Sequence, residues 1–197
     1  MKINISLDKK SIQNAIKQIN ELKKRVQKEL PKVYLQKCIA SIIEIANKNL
    51  LMTDIGFEVK IAIQNGWKIS PVVGNKITLT NNAEFEKGKN LAVFVEFGVG
   101  LVGEQRNHDF ASEAKYDYNV PTQAKDKNGY WYYNLESGAD SMNIESNYYE
   151  GYNSDKGFVF KTAGSPATMF LYKAWKEFET SGLYKTLWEQ SKSEVIG

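Results

Sequence analysis

Glu96 is the one charge in an otherwise apolar run, Leu91-Ala92-Val93-Phe94-Val95-Glu96-Phe97. A carboxylate in such a setting has to be paired or has to accept backbone amides, because burying it alone is costly. Three roles are open to it: capping a turn inside its own subunit, contacting a neighbouring subunit, or acting as a catalytic acid. Gly98 and Gly100 follow, and both can adopt positive φ and let another backbone approach closely. With Gly103 they satisfy the Gly-x-Gly-x-x-Gly spacing of dinucleotide sites. The residues after it, Glu104-Gln105-Arg106-Asn107-His108, do not form the apolar helix that such a site needs against a parallel sheet. His108 is the only histidine, and His108-Asp109 has no second ligand at helical or hairpin spacing. It reads as a solvated loop residue rather than a metal ligand. Cys38, the only cysteine, lies between Leu35 and Ile39 on a predicted helix and reads as a small core residue. Nucleophilic chemistry with His108 would require it off that apolar face. No cofactor and no metal are expected.

A second group with chemical potential lies in 101–156, which holds ten of the 24 aromatic residues, ten Asp/Glu and only six aliphatic side chains. Acids among exposed aromatics could cleave or bind sugars, provided two carboxylates converge beside Trp131 and Tyr133. A carbohydrate-binding or glycan-acting module is therefore the alternative reading of this stretch. The other use of Tyr130, Trp131, Tyr132 and Tyr133 is a strand gripping a sheet or a neighbouring subunit, since aromatic side chains bring large area at little entropic cost.

Charge is strongly segregated. Residues 1–50 carry eleven Lys/Arg against four Asp/Glu, a net of +7, whereas 101–156 carry five against ten, a net of −5. The basic surface of Lys17, Lys23, Lys24, Arg25 and Lys28 suits phosphates, or else the acidic part of the next subunit, or simply solvent. Arg25 and Arg106 are the only arginines, and base readout favours arginine, so any DNA contact would be non-specific. No apolar run approaches the length of a membrane span, and the first eight residues turn polar too soon for a secretory signal. A cytoplasmic origin and no membrane partner are expected.

The elements that must position these groups divide the chain into segments of one expected domain, 1–197. Asp8 is a plausible N-cap, and Ile12, Ile16, Ile19, Leu22, Val26 and Leu30 form one apolar stripe at helical spacing. Pro31 should kink or break that helix, and a second helical stretch runs from Lys32 to about Leu50; the two are either separate helices or one bent element. Residues 51–100 are expected to be mainly sheet. Phe57, Val59, Ile61 and Ile63 alternate with Glu58, Lys60, Ala62 and Gln64 as a half-buried strand does. Asn65-Gly66 is a hairpin signal, Trp67 to Val73 the return strand, and Lys76 to Thr80 a further strand. Leu91–Phe97 suits a central strand, or else a short helical turn. Residues 101–156 are too poor in aliphatics for a core of their own and read as an insertion on the sheet, with Asn128-Gly129 turning into the aromatic strand. Gly157–Thr162 is a strand. Ser165 as N-cap and Pro166 at the first helical position open the C-terminal helices, with Phe170 on the apolar face, Gly182 as a stop and Leu183 starting the last helix. The expected fold is α+β, an antiparallel or mixed sheet of four to six strands flanked by long N-terminal helices and C-terminal helices, with a long polar, aromatic-rich insertion.

Two short segments in this order carry a resemblance: Val93-Phe94-Val95-Glu96-Phe97-Gly98-Val99-Gly100, then Lys161-Thr162-Ala163-Gly164-Ser165-Pro166-Ala167-Thr168-Met169-Phe170-Leu171. Behind a basic helical N-terminus, they resemble the tail-component family of bacteriophage neck proteins. There a hydrophobic–Val–Glu–aromatic–Gly–x–Gly segment precedes a Gly-x-Pro-Ala-x-x-Phe-Leu element that opens the last helix. The resemblance implies a non-enzymatic virion component of the head–tail connector, a neck or tail-completion protein assembled in the host bacterial cytoplasm as a homo-oligomeric ring. It implies portal or head-completion proteins and tail-tube or tail-terminator proteins as partners, with possible non-specific contact to DNA in the lumen. Glu96, Phe97, Gly98, Gly100, Lys161, Pro166 and Phe170, with the four aromatics from Tyr130 to Tyr133, are then the candidate subunit-interface residues.

Overall fold

A computed structural model describes residues 8–86, 89–105, 108–116, 131–134, 149–154, 157–162 and 164–197. In chain order the elements are α1 (Lys9–Leu51), α2 (Phe57–Asn65), β1 (Trp67–Ile69), β2 (Leu79–Asn81), β3 (Glu84–Glu86), β4 (Lys89–Asn90), α3 (Leu91–Phe97) and α4 (Gly100–Gln105), followed by β5 (Trp131–Asn134), β6 (Tyr149–Ser154), β7 (Gly157–Thr162), β8 (Gly164–Ser165), α5 (Phe170–Thr180) and α6 (Leu183–Ile196). The chain is mixed helix and sheet, with a long N-terminal helix. Contacts divide it into two compact units: 1–45, 69–79 and 174–197 form the first, and 46–68 with 80–173 the second.

In the first unit, Asp8 caps α1 as its position suggests: its Oδ1 accepts from the Ser11 amide at 2.9 Å. The helix then runs 43 residues with Pro31 inside it, so the chain does not break there and the single-element alternative holds. Proline still removes one amide there, and that cost is carried by packing on either side, where Leu30, Cys38 and Ile42 are buried. Within this unit α6 packs on α1. Trp188 meets Tyr34 edge-on at 5.2 Å, Arg25 Nη2 donates to the Val195 carbonyl at 2.6 Å, and Lys37 pairs with Glu194 at 2.8 Å. Leu187, Ser191 and Val195 form the buried row of α6, and Ser191 satisfies its hydroxyl on the Leu187 carbonyl at 2.7 Å. Gly182, at φ 70°, separates α5 from α6 as expected.

The second unit departs most from the sequence expectation. The alternating segment Phe57–Gln64 is helix α2, not a strand, and Gly66 is its C-cap rather than a hairpin residue. The alternation misleads because Phe57 and Ile61, one helical turn apart, are exposed (Phe57 by 70%), while Ile63 is fully buried. Lys60 Nζ reaches back to the Leu51 and Thr53 carbonyls at 3.1 and 2.5 Å, meeting acceptors left at the end of α1. Gly66 is needed for close approach: a Cβ there would lie 2.5 Å from Asn81 Oδ1 and 2.8 Å from the Ala83 amide.

Instead of one sheet of four to six strands, three small sheets occur among the described residues: β1 with β2, β3 with β4, and the antiparallel order β5-β7-β6. The expected strands at 67–73 and 76–80 shrink to β1 and β2, three residues each. Leu91–Phe97 takes the helical alternative, with Ala92, Val95 and Glu96 buried at helical spacing. Asn90 opens α3, its Oδ1 accepting from the Val93 amide at 3.1 Å. Within 101–156, Trp131–Asn134 and Tyr149–Ser154 both pair with β7, so the stretch builds this sheet jointly with β7 rather than decorating an existing one. The Asn128-Gly129 turn and Tyr130 lie outside the described residues. Among the described residues no helix is long and apolar enough to cross a membrane.

Candidate functional site

The second unit places the two distant sequence segments against each other, and Glu96 is where they meet. The C-terminal carbonyls of α3 have no partner within that helix. They are taken by the segment before α5: the Val95 carbonyl accepts from the Thr168 amide at 3.1 Å and from Thr168 Oγ1 at 2.7 Å, and the Glu96 carbonyl accepts from the Met169 amide at 3.2 Å. In return, the first amides of α5 need acceptors. Glu96 supplies them, its Oε2 accepting from Leu171 N and its Oε1 from Tyr172 N, both at 2.8 Å. Each helix end is therefore capped by the chain leading to or from the other, which also places a carboxylate at a helix N-terminus, where it is favoured.

This overturns the expected cap. Ser165 and Pro166 do not begin the helix, which starts at Phe170. Ser165 belongs to β8, and the isolated pairs Val99↔Ser165 and Gly100↔Gly164 run antiparallel. Backbone packs on backbone here with no room for side chains. A Cβ on Gly98, at φ 77°, would lie 2.5 Å from the Ala167 amide nitrogen and 2.6 Å from the Ser165 carbonyl oxygen. One on Gly164, at φ 109°, would collide with the Val99 carbonyl. Met169 is held at φ 56°, a conformation a non-glycine residue adopts only where its surroundings impose it.

The third partner of Glu96 is His108, which sequence reasoning placed in solvent. It is instead buried, with Nε2 3.0 Å from Glu96 Oε1. Its Nδ1 accepts the Phe110 amide at 2.9 Å. The proton therefore sits on Nε2, the nitrogen that donates to Glu96. Aromatic rings enclose the pair: Phe97 lies 4.6 Å from His108 and stacks on Tyr116 at 4.6 Å, while Tyr172 lies 5.2 Å from His108 and 5.1 Å from Phe110. Tyr116 closes the cluster by donating to the Gly98 carbonyl at 2.8 Å. Nothing in the local spacing of His108-Asp109 announced this. The only available sign was an apolar run containing one acid that needed a partner.

The other candidates scatter. Glu96 and Phe170 are buried inside the unit, against their own chain. Phe170 sits 6.3 Å from Trp67, whose indole nitrogen donates to Asn47 Oδ1 at 2.9 Å. Phe97 and Pro166 are half-buried at the same junction. Trp131, Tyr132 and Tyr133 lie on β5, where Tyr132 is in register with Lys161 of β7. Lys17, Lys23, Lys24, Arg25 and Lys28 are exposed on α1. Cys38 is buried in the first unit, as expected; burial pushes its thiol above the ordinary value, and a hydrogen bond with Tyr34 pulls part of that back. Gly98-Val99-Gly100 enters the six-residue α4 after antiparallel pairing with β8, not from a parallel strand. Among the described residues no group of three or more His, Cys, Asp or Glu could hold a metal ion. No protein-family model, curated protein or solved structure matches the chain.

Proposed function

We propose that this chain is a structural subunit of a phage or prophage head–tail connector, a neck or tail-completion ring component that performs no catalysis. One observation carries the reading. The two segments that resemble the phage neck family, Val93–Gly100 and Lys161–Leu171, join through Glu96, Gly98 and the Thr168–Met169 amides into a single mutually capped junction. Glu96, Gly98 and Gly164 each have a physical task there, which supports reading the two segments together as one structural unit. The same geometry supports a role without catalysis. Glu96 is occupied by two amides and an imidazole, and His108 by Glu96 and the Phe110 amide. Helices flanking a small sheet, ring assembly, location in the virion and contacts with portal and tail-tube proteins belong to this proposal.

The test is to offer purified chain to portal and tail-tube assemblies and examine the products by negative-stain imaging. Discrete rings or capped tubes are expected. A chain that ignores both assemblies and binds polysaccharide in a manner abolished by Trp131→Ala refutes the proposal and promotes the glycan reading of the aromatic strand.

A further inference from the structure

The N-terminal half of α1 carries a surface that its own unit leaves to solvent. Ile12, Ile16 and Ile19 are 40%, 54% and 49% exposed, although Ala15 on the same stretch is buried. Spacings of four and three set these isoleucines in one row of the helix, and Lys23, seven after Ile16 and four after Ile19, continues it. Lys10, Lys17, Lys24 and Lys28, all exposed, lie roughly 130° further round the helix, in a line that also holds exposed Glu21. An exposed apolar row on a stretch, 9–28, that carries seven Lys/Arg and one Glu is a docking face, and the basic charge selects its occupant. The same face of a second α1 is unsuitable, because lysines would meet lysines.

The complement lies elsewhere on the same chain. In the second unit Glu104, Asp109 and Glu113 are exposed, opposed only by Lys115 among the described residues of 104–116. Phe110 stands among them, 39% exposed, steadied by its edge-on contact with Tyr172. An exposed aromatic flanked by acids matches an isoleucine row on a basic stretch in both apolar and electrostatic character. We infer that the α1 face of one copy docks on the Glu104, Asp109, Phe110 and Glu113 surface of a second copy. Such a contact joins two different faces, so it repeats head to tail and closes into a ring or runs on as a filament. The inference deepens the ring reading and rests on it, naming the surfaces that the ring would use.

The test uses the full chain, a basic-face variant (Lys17→Glu, Lys23→Glu, Lys24→Glu) and an acidic-face variant (Glu104→Lys, Asp109→Lys, Glu113→Lys), with masses read by light scattering. All six positions are exposed, and an unchanged circular dichroism spectrum checks that both variants fold. The wild-type chain should associate at low salt and weaken at least about tenfold between about 50 mM and about 500 mM salt. Each variant alone should be monomeric, and an equimolar mixture should regain the wild-type mass, since the reversed charges complement each other. Wild-type chain that stays monomeric at low salt overturns the inference. So does an acidic-face variant that assembles alone, which would indicate α1 pairing with α1. So does a basic face that binds duplex DNA or anionic vesicles with no self-association. Rescue by mixing without any response to portal or tail-tube protein would keep the inference and remove the neck assignment. Rings formed on those partners by either variant alone would do the reverse.

Discussion

Replacing Glu96 by alanine removes the acceptor shared by three donors and gives the most direct measure of the junction. Leu171 N, Tyr172 N and His108 Nε2 lie 2.8, 2.8 and 3.0 Å from its oxygens, and Glu96 is 8% exposed. Each buried donor left without an acceptor costs about 1–3 kcal/mol. Water entering the vacated space recovers part of that, so the loss should be about 3–6 kcal/mol, a large share of the roughly 5–15 kcal/mol that holds a typical domain together. Glu96→Gln is the informative control. Oε1 serves two donors and Oε2 only one, so the amide should keep its oxygen at the first position and turn its NH2 toward Leu171 N. That forfeits one bond and sets two donors against each other, for about 1.5–3 kcal/mol. Urea denaturation gives the free energies. Hydrogen exchange at Leu171 and Tyr172 localises them, because both amides should lose about a hundredfold or more of their protection in the alanine variant, at 1.4 kcal/mol per tenfold. An alanine variant within about 0.5 kcal/mol of wild type, the size of a neutral surface change, with unchanged exchange at both amides would refute the capping account.

Three further outcomes follow from single sites. Gly98→Ala should cost about 2–4 kcal/mol, since it combines φ 77° with a Cβ 2.5 Å from the Ala167 amide nitrogen; a melting temperature equal to wild type would contradict the close backbone approach. Pro31→Ala should stabilise by about 1–3 kcal/mol, because α1 continues through a residue that cannot donate, and a lowered unfolding midpoint would show that proline is needed there. Cys38 should react with iodoacetamide at mildly alkaline pH far more slowly in the folded chain than in denaturant, because burial raises its thiol above the ordinary value. The sign of the linkage follows: the folded pKa is the higher one, so this contribution to stability is complete below about pH 9 and declines as pH rises through the folded value. Equal alkylation rates in both states would place Cys38 at the surface.

How much of this was legible in the sequence depends on where the relevant contacts lie. The N-cap at Asp8, the stop at Gly182 and the pairing-competent run Gly157–Thr162 are local features, and each appears where its residues indicate, whereas Ile12, Ile16 and Ile19 of the expected apolar stripe are exposed. Phe57–Gln64 was misread because an alternating pattern presumes that apolar residues are inside. Here Phe57 and Ile61 are outside, and the buried side is set by what α2 packs against. Leu91–Phe97 is apolar in both readings, and only the Asn90 cap and the helical spacing of Ala92, Val95 and Glu96 separate helix from strand. Pro31 has a local cost that packing outweighs, which no local rule can weigh.

The junction at Glu96 shows the same division more sharply. That a lone acid in an apolar run needs donors follows from solvation alone, and that Gly98 permits close approach follows from its missing Cβ. Which donors and which backbone depend on a chain returning seventy residues later, and the serine–proline start was plausible only while α5 was considered by itself. A helix N-terminus capped from within its own sequence needs a serine or aspartate just before it. One capped from afar needs an acid elsewhere and nothing distinctive locally; Met169 just before α5 carries no cap side chain, and the Thr168 hydroxyl is given to the Val95 carbonyl. His108 is the extreme case. It is buried only because Glu96 stands opposite Nε2 and the Phe110 amide opposite Nδ1, two partners that make a titratable ring tolerable in an aromatic enclosure. Burying Glu96 beside His108 is tolerable because two amides and the imidazole share the carboxylate, and the Phe110 amide occupies the other ring nitrogen.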